Sequence, residues 1–326
     1  MNLKCVAKLM MKTIALVLVS PPLAVPRLSR AMVLQGVVML ISSVATPAFA
    51  GSATWKTNPG SGTWNTAANW TPATIPNGAA DIATFAFSNI ARVFFAADTE
   101  VNGIVFNAGA SSFTIVNQAP TVTISGTGIT NNSGIVQNFT PGPGQIIFTN
   151  SATAGSLTSF TNGGAITFAG SSSAGNATFS NDGELTFLNT ATAGDATFIN
   201  EGGKVSGAGG ATIVFDTGST AGNALITTNG GAVSGAFNAE TLFRANAGNA
   251  TLIANGGSGG APGGLIHFVD ASKGGTARVE AFGNGSLDIS GHAAPGMTVG
   301  SLEGNGRVFL GSRKLTVGSN NQNTNF

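Results

Sequence analysis

From about position 101 onward the apolar residues come in short runs, such as GIVF (Gly103 to Phe106), FTIV (Phe113 to Val116) and TVTIS (Thr121 to Ser125). Each run is rich in β-branched and aromatic residues and bounded by Gly, Asn, Ser or Pro, the composition of a short strand between turns. Past residue 50 no stretch repeats its apolar positions at helical spacing, so the pattern predicts an all-β chain.

The runs recur. The phrase A-G-[NDS]-[AL]-[TL] starts at Ala154, Ala174, Ala193, Ala221 and Ala247, and a weaker Gly274-Gly275-Thr276-Ala277 follows. Its glycine therefore returns as Gly155, Gly175, Gly194, Gly222, Gly248 and Gly275, with two short steps and then three longer ones. A second series keeps phase with it: Asn162-Gly163-Gly164, Asn181-Asp182-Gly183, Asn200-Glu201-Gly202, Asn229-Gly230-Gly231 and Asn255-Gly256-Gly257. A unit of roughly 20 to 30 residues holds two or three strands but cannot bury its own face, so such units stack into a parallel β-solenoid. Each Asn-Gly tolerates the positive φ of a tight corner, and stacked corners let Asn amides bond from coil to coil. Phe168, Phe179, Phe187 and Phe198 fall at equivalent places in successive strands and predict an interior aromatic ladder. At about 4.8 Å per coil, roughly eight to ten coils over residues 101–326 make a rod on the order of 40 to 50 Å long.

Two segments precede this region. Residues 51–100 hold all three tryptophans, Trp55, Trp64 and Trp70, and are expected to cap a solenoid end that would otherwise expose apolar interior and strand edges. The alternative is a sugar-binding platform, because indole faces stack on carbohydrate rings, although no cluster of polar residues accompanies them. Residues 1–50 carry Lys4, Lys8, Lys12, Arg27 and Arg30, an apolar run from Ala31 to Ala45, and Ala48-Phe49-Ala50. That order reads as a secretory signal peptide cleaved between Ala50 and Gly51, with an uncleaved N-terminal anchor as the alternative. It predicts export through the inner membrane to the cell surface or the extracellular space.

Composition narrows the function. Residues 51–326 have nine Lys and Arg against thirteen Asp and Glu, a net charge that excludes the basic face of a nucleic-acid binder. Cys5 lies in the leader, so the exported part has no disulfide and no thiolate ligand.

The opening TWNTAANWTPATIPNGAADIATF, repeats such as TAGDATFINEGGKVSGAGGATIVF, and the ending GHAAPGMTVGSLEGNGRVFLGSRKLTVGSNN resemble autotransporter-like proteins that carry autotransporter-associated β-strand repeats. The resemblance spans residues 51–326. It implies a right-handed parallel β-helix acting as an outer-surface or secreted passenger, adhesive or structural in role. The departure is at the C-terminus, where no translocator barrel is read. The Asn and Gln before Phe326 lack the alternation of an outer-membrane strand.

Candidate chemistry is sparse. Asp182, Glu184, Asp195 and Glu201 come nearest to a cluster of acids, yet they sit at turns, whereas glycoside hydrolysis needs two carboxylates facing across a groove. His267 and His292 are the only histidines, and their wide separation in sequence matches no compact metal motif. No calcium-binding G-G-x-G-x-D repeat, phosphate-binding loop or nucleophile elbow is present. We therefore expect no catalytic, metal-binding or cofactor-binding residue, and no enzyme. The expected partners are surface polysaccharide or a host or neighbouring cell surface, with self-association through the solenoid ends. A carbohydrate-active β-helix enzyme is the alternative, and it predicts a groove of converging charges.

Overall fold

The computed structural model describes residues 51–118 and 120–326; the leader and its cleavage site lie outside the described residues. Strands of two to eleven residues alternate between two walls, and a single 3-10 turn, Ala67–Asn69, is the one helical element among the described residues. The first wall has 13 strands and the second ten. Apart from Trp70–Thr71 at the N-terminal end of the first wall, neighbours within each wall are one coil apart in sequence and pair in parallel, as Ala165–Phe168 does with Glu184–Phe187 and Asn176–Asn181 with Thr197–Asn200. The chain is thus a β-solenoid of about ten turns.

The strands alternate because one side chain in two must enter a core only one layer thick. In Glu184–Phe187 the residues Leu185 and Phe187 are buried, while Glu184 and Thr186 face outward. The phenylalanines form two columns rather than the one ladder expected. Phe148, Phe168, Phe187, Phe215, Phe243 and Phe268 stack along the first wall with centroids 4.6 to 4.9 Å apart. Phe139, Phe160, Phe179 and Phe198 stack along the second at 4.7 to 4.8 Å. The columns meet edge-on, with 6.0 Å between Phe168 and Phe179 and between Phe187 and Phe198. A coil crosses from wall to wall between those residues, so each pair belongs to two stacks.

The corner after the second wall corrects one expectation: the glycines that follow its asparagines, Gly163, Gly183 and Gly202, do not take up a positive φ, and the asparagines act through their side chains. Asn162 donates to Asn181 Oδ1 at 2.7 Å and Asn181 to Asn200 Oδ1 at 2.8 Å, all three fully buried. Asn200 then donates to the Glu240 carbonyl at 2.7 Å, and the column continues as Thr228 and Ala254. Asn229 and Asn255 are therefore not members of this ladder. Each sits one position later, in a part-buried file where Asn229 donates to Glu201 and Asn255 to Asn229. The shift coincides with the longer coils. Their extra residues, about 203–210, 231–238 and 257–263, leave the corner and stack on one another as a fin. Hydrogen bonds hold it, from Gly207 N to Gly235 O at 2.8 Å and from Ser258 N to Gly231 O at 2.9 Å.

Stacking begins well before residue 101. Ala53–Trp55, Gly78–Phe85 and Arg92–Phe95 already pair in register with their successors, and position 100 falls inside the strand Thr99–Phe106. The N-terminal end is closed by the antiparallel strand Trp70–Thr71 and by three interlocked indoles. At the other end, residues 320–326 run beside Ser301–Gly304, with Gly304 N donating to Asn325 O at 3.0 Å and the Thr324 hydroxyl to Leu302 O at 2.8 Å. The last first-wall strand, Arg307–Phe309, has one edge that pairs with no other strand among the described residues, and Phe309 is exposed.

Candidate functional site

A third wall of isolated bridges links Gly128, Thr153, Ser173, Thr192, Thr220, Asn246 and Lys273 in parallel. It is built by the A-G phrase. The alanines Ala154, Ala174, Ala193, Ala221 and Ala247 are fully buried, and each following glycine has a φ between +60° and +79°. That left-handed turn needs glycine. Its amide donates to the side chain two residues back, to Thr153, Ser173 and Thr192 at 3.0 Å, Thr220 at 3.1 Å and Asn246 at 2.9 Å. The structural phrase is thus [TSN]-A-G, which starts one position before the phrase read from sequence. The signal was present in the Thr, Ser, Thr, Thr and Asn that precede the alanines.

The four acids singled out from sequence do not converge. Asp182 pairs with Lys204 at 2.7 Å on the surface, and that hydrogen bond raises the lysine pKa. Glu184 accepts from Thr186, Asp195 from Asn223 and Glu201 from Asn229. Each acid serves its own neighbour.

Charges do collect over the last coils. On the outer face of the first wall, His267 Nδ1 lies 2.8 Å from Glu240 Oε1. This bond raises the histidine pKa against the opposing cost of burial, with Asp288 adding to the rise and Arg244 opposing it. On the second wall, Glu280 and Glu303 are direct cross-strand partners. Two carboxylates so placed repel, and Arg278 spans them, 3.1 Å from Glu280 and hydrogen-bonded to Glu303. Glu280 is raised above the usual carboxylate range, first by burial, with Glu303 adding and Arg278 opposing. Because one guanidinium holds both acids, the pair is a clamp between coils. His292 is buried, its ring nitrogens 2.8 Å from the Ala293 and Ser272 carbonyls. No group of three or more potential metal ligands comes together among the described residues.

The tryptophans offer no face to a sugar. All three are at most 2% exposed, and their indole N–H groups donate to the carbonyls of Ile90, Pro76 and Trp64. The sequence could not separate a platform from a plug, since both use large flat rings.

What the rod does present is a regular polar surface. On the second wall, Thr114, Asn138, Ser159, Thr178 and Thr197 stand in register on five successive strands, all facing outward, with Thr161 and Ser180 in the adjoining column. From Thr114–Asn117 to Thr251–Ala254, seven strands of this wall carry no charged residue. Hydroxyl and amide groups therefore repeat at the strand spacing of about 4.8 Å. The sequence matches no known protein family, no curated protein and no solved structure.

Proposed function

We propose that this chain is an exported bacterial surface protein of the autotransporter-passenger kind, serving as a structural and adhesive rod rather than as an enzyme. The observation that carries the reading is the uncharged, in-register lattice of Thr, Ser and Asn on the second wall. Such groups hydrogen-bond weakly one at a time, and a rigid array of them gains strength by engaging many points of a polysaccharide or cell surface at once. A signal peptide ending at Ala50 would deliver the rod outside the inner membrane. The unpaired edge of Arg307–Phe309 supports self-association through that end.

The test is adhesion by cells that make the full chain. Protease shaving should release the rod, and the exported form should begin at Gly51. Replacing Ser159, Thr178 and Thr197 together by Asp should abolish attachment of those cells to polysaccharide-coated surfaces. Retention of the protein in the cytoplasm, or attachment unaltered by that triple change, would overturn the reading.

A further inference from the structure

From Thr153 onward the third wall breaks its own rule once. At Thr153, Ser173, Thr192, Thr220 and Asn246 a side-chain oxygen satisfies the amide of the glycine two residues on. In the next coil that place belongs to Lys273, which has no acceptor to offer. Among the described residues neither the Gly274 nor the Gly275 amide has a hydrogen-bond partner. Gly275 keeps the left-handed turn of its predecessors, with φ +59°, so its amide is aimed as theirs are, outward past residue 273.

A cleft opens at the same place, with a volume of about 490 Å³. It is lined by Lys273, Gly274, Gly275, Thr298, Lys314 and Thr316. Lys314 pairs in register with Gly296, and Thr298 with Thr316; a Cβ on Gly296 would collide with the Lys314 carbonyl oxygen, so the glycine lets the two cleft-lining strands approach closely. Neither the Lys273 nor the Lys314 ammonium has an ion-pair or hydrogen-bond partner among the described residues. Two unneutralised ammonium groups and two successive free amides share one concave surface. Consecutive backbone N–H groups at a turn form an anion-binding concavity, and ammonium groups favour the same charge.

We propose that this cleft is an oxyanion-binding subsite, taking the carboxylate of a uronate or the sulfate of a sulfated sugar in an acidic polysaccharide. The oxyanion accepts from the Gly274 and Gly275 amides, and the two lysines neutralise it. Only the identity of the polymer rests on the adhesive reading; the oxyanion site itself does not. A polysaccharide lying along the hydroxyl lattice of the second wall would be held without charge, whereas this cleft selects an acidic one. Binding here weakens as salt screens the lysines.

The decisive variant is Lys273→Thr, which copies Thr153, Thr192 and Thr220 and gives the Gly275 amide an internal acceptor. The purified full chain is titrated at low ionic strength with polygalacturonate, dextran sulfate and neutral dextran, and inorganic sulfate serves as the single-site probe. We expect binding of at least one acidic polymer and of sulfate, with none of neutral dextran at this site. Lys273→Thr should weaken it about tenfold, the loss of one charge-assisted contact, while the denaturation midpoint stays level or rises. Lys314→Gln should weaken binding as well. The two polymers distinguish carboxylate from sulfate. Binding of acidic polymer unchanged in both variants, or no binding of either polymer or sulfate by the parent chain, overturns the site. Cell attachment is measured separately, so loss of this subsite and loss of the adhesive role give different results.

Discussion

Phe187→Ala tests the aromatic columns most directly. Phe187 is fully buried and stacks on Phe168 at 4.9 Å and on Phe215 at 4.7 Å, with interplanar angles of 8° and 4°, while meeting Phe198 edge-on. Truncating a buried Phe to Ala costs about 3 to 5 kcal/mol, and each aromatic pair adds roughly 0.5 to 1.5 kcal/mol beyond area. Three lost ring contacts place this variant near the top of the range, about 5 kcal/mol, because flanking coils fixed by their own hydrogen bonds cannot collapse into the gap. Phe215 is a graded comparison. It stacks on Phe187 and Phe243 with no edge-on partner, so Phe215→Ala should cost about 1 kcal/mol less. Phe237, on the fin and 58% exposed, should tolerate alanine within about 0.5 kcal/mol. The assay is urea unfolding followed by far-ultraviolet circular dichroism and by tryptophan fluorescence. All three tryptophans lie at the N-terminal end, so fluorescence reports that end while dichroism reports every coil. A midpoint unchanged by both probes in Phe187→Ala would refute the stacked core.

Other outcomes follow from single contacts. Asn181→Ala removes the middle of the buried amide ladder, leaving the Asn162 amide with only its bond to the Glu184 carbonyl and taking the donor from Asn200 Oδ1 and the Thr212 carbonyl, for a loss of about 2 to 3 kcal/mol read from the same urea midpoint. Glu280 is raised by burial, so its charge opposes folding. That cost is absent below the ordinary glutamate pKa and complete above the raised one, and Glu280→Gln should be neutral or stabilising at pH 7, with no gain at acid pH. The raised pKa of His267 has the opposite sense. Its contribution is fully present below the unfolded histidine value and lost as pH rises through the folded one. The stability gap between the parent and Glu240→Gln, measured by urea unfolding at a series of pH values, should therefore shrink as pH climbs above the ordinary histidine range. A gap that widened would contradict the pair.

The phase of the repeats was legible because the A-G glycines mark one corner with a positive φ and the asparagines mark another with their side-chain amides. The division of the core was legible too, in a signal that a single ladder passes over. Phe160, Phe168, Phe179, Phe187 and Phe198 follow one another by alternating shorter and longer steps, the stride of a coil crossing between two walls. Asn229 and Asn255 misled because side-chain identity survives an insertion while register does not. Lys273 carried no signal by itself. It acquires meaning only against five earlier turns whose side chains close an amide that lysine leaves open.

The fin has a consequence for how such a molecule changes length. Short and long coils share the same walls, so the surplus is absorbed at the single corner beyond Asn200 and Thr228. The tips of the fin are exposed, Val205 at 65% among them, and lie outside the ring stacks and the [TSN]-A-G turns alike. A foreign peptide grafted at Gly207 would therefore extend a protrusion that the chain already varies. The same rod could then serve as a display scaffold, with its cargo spaced by whole coils.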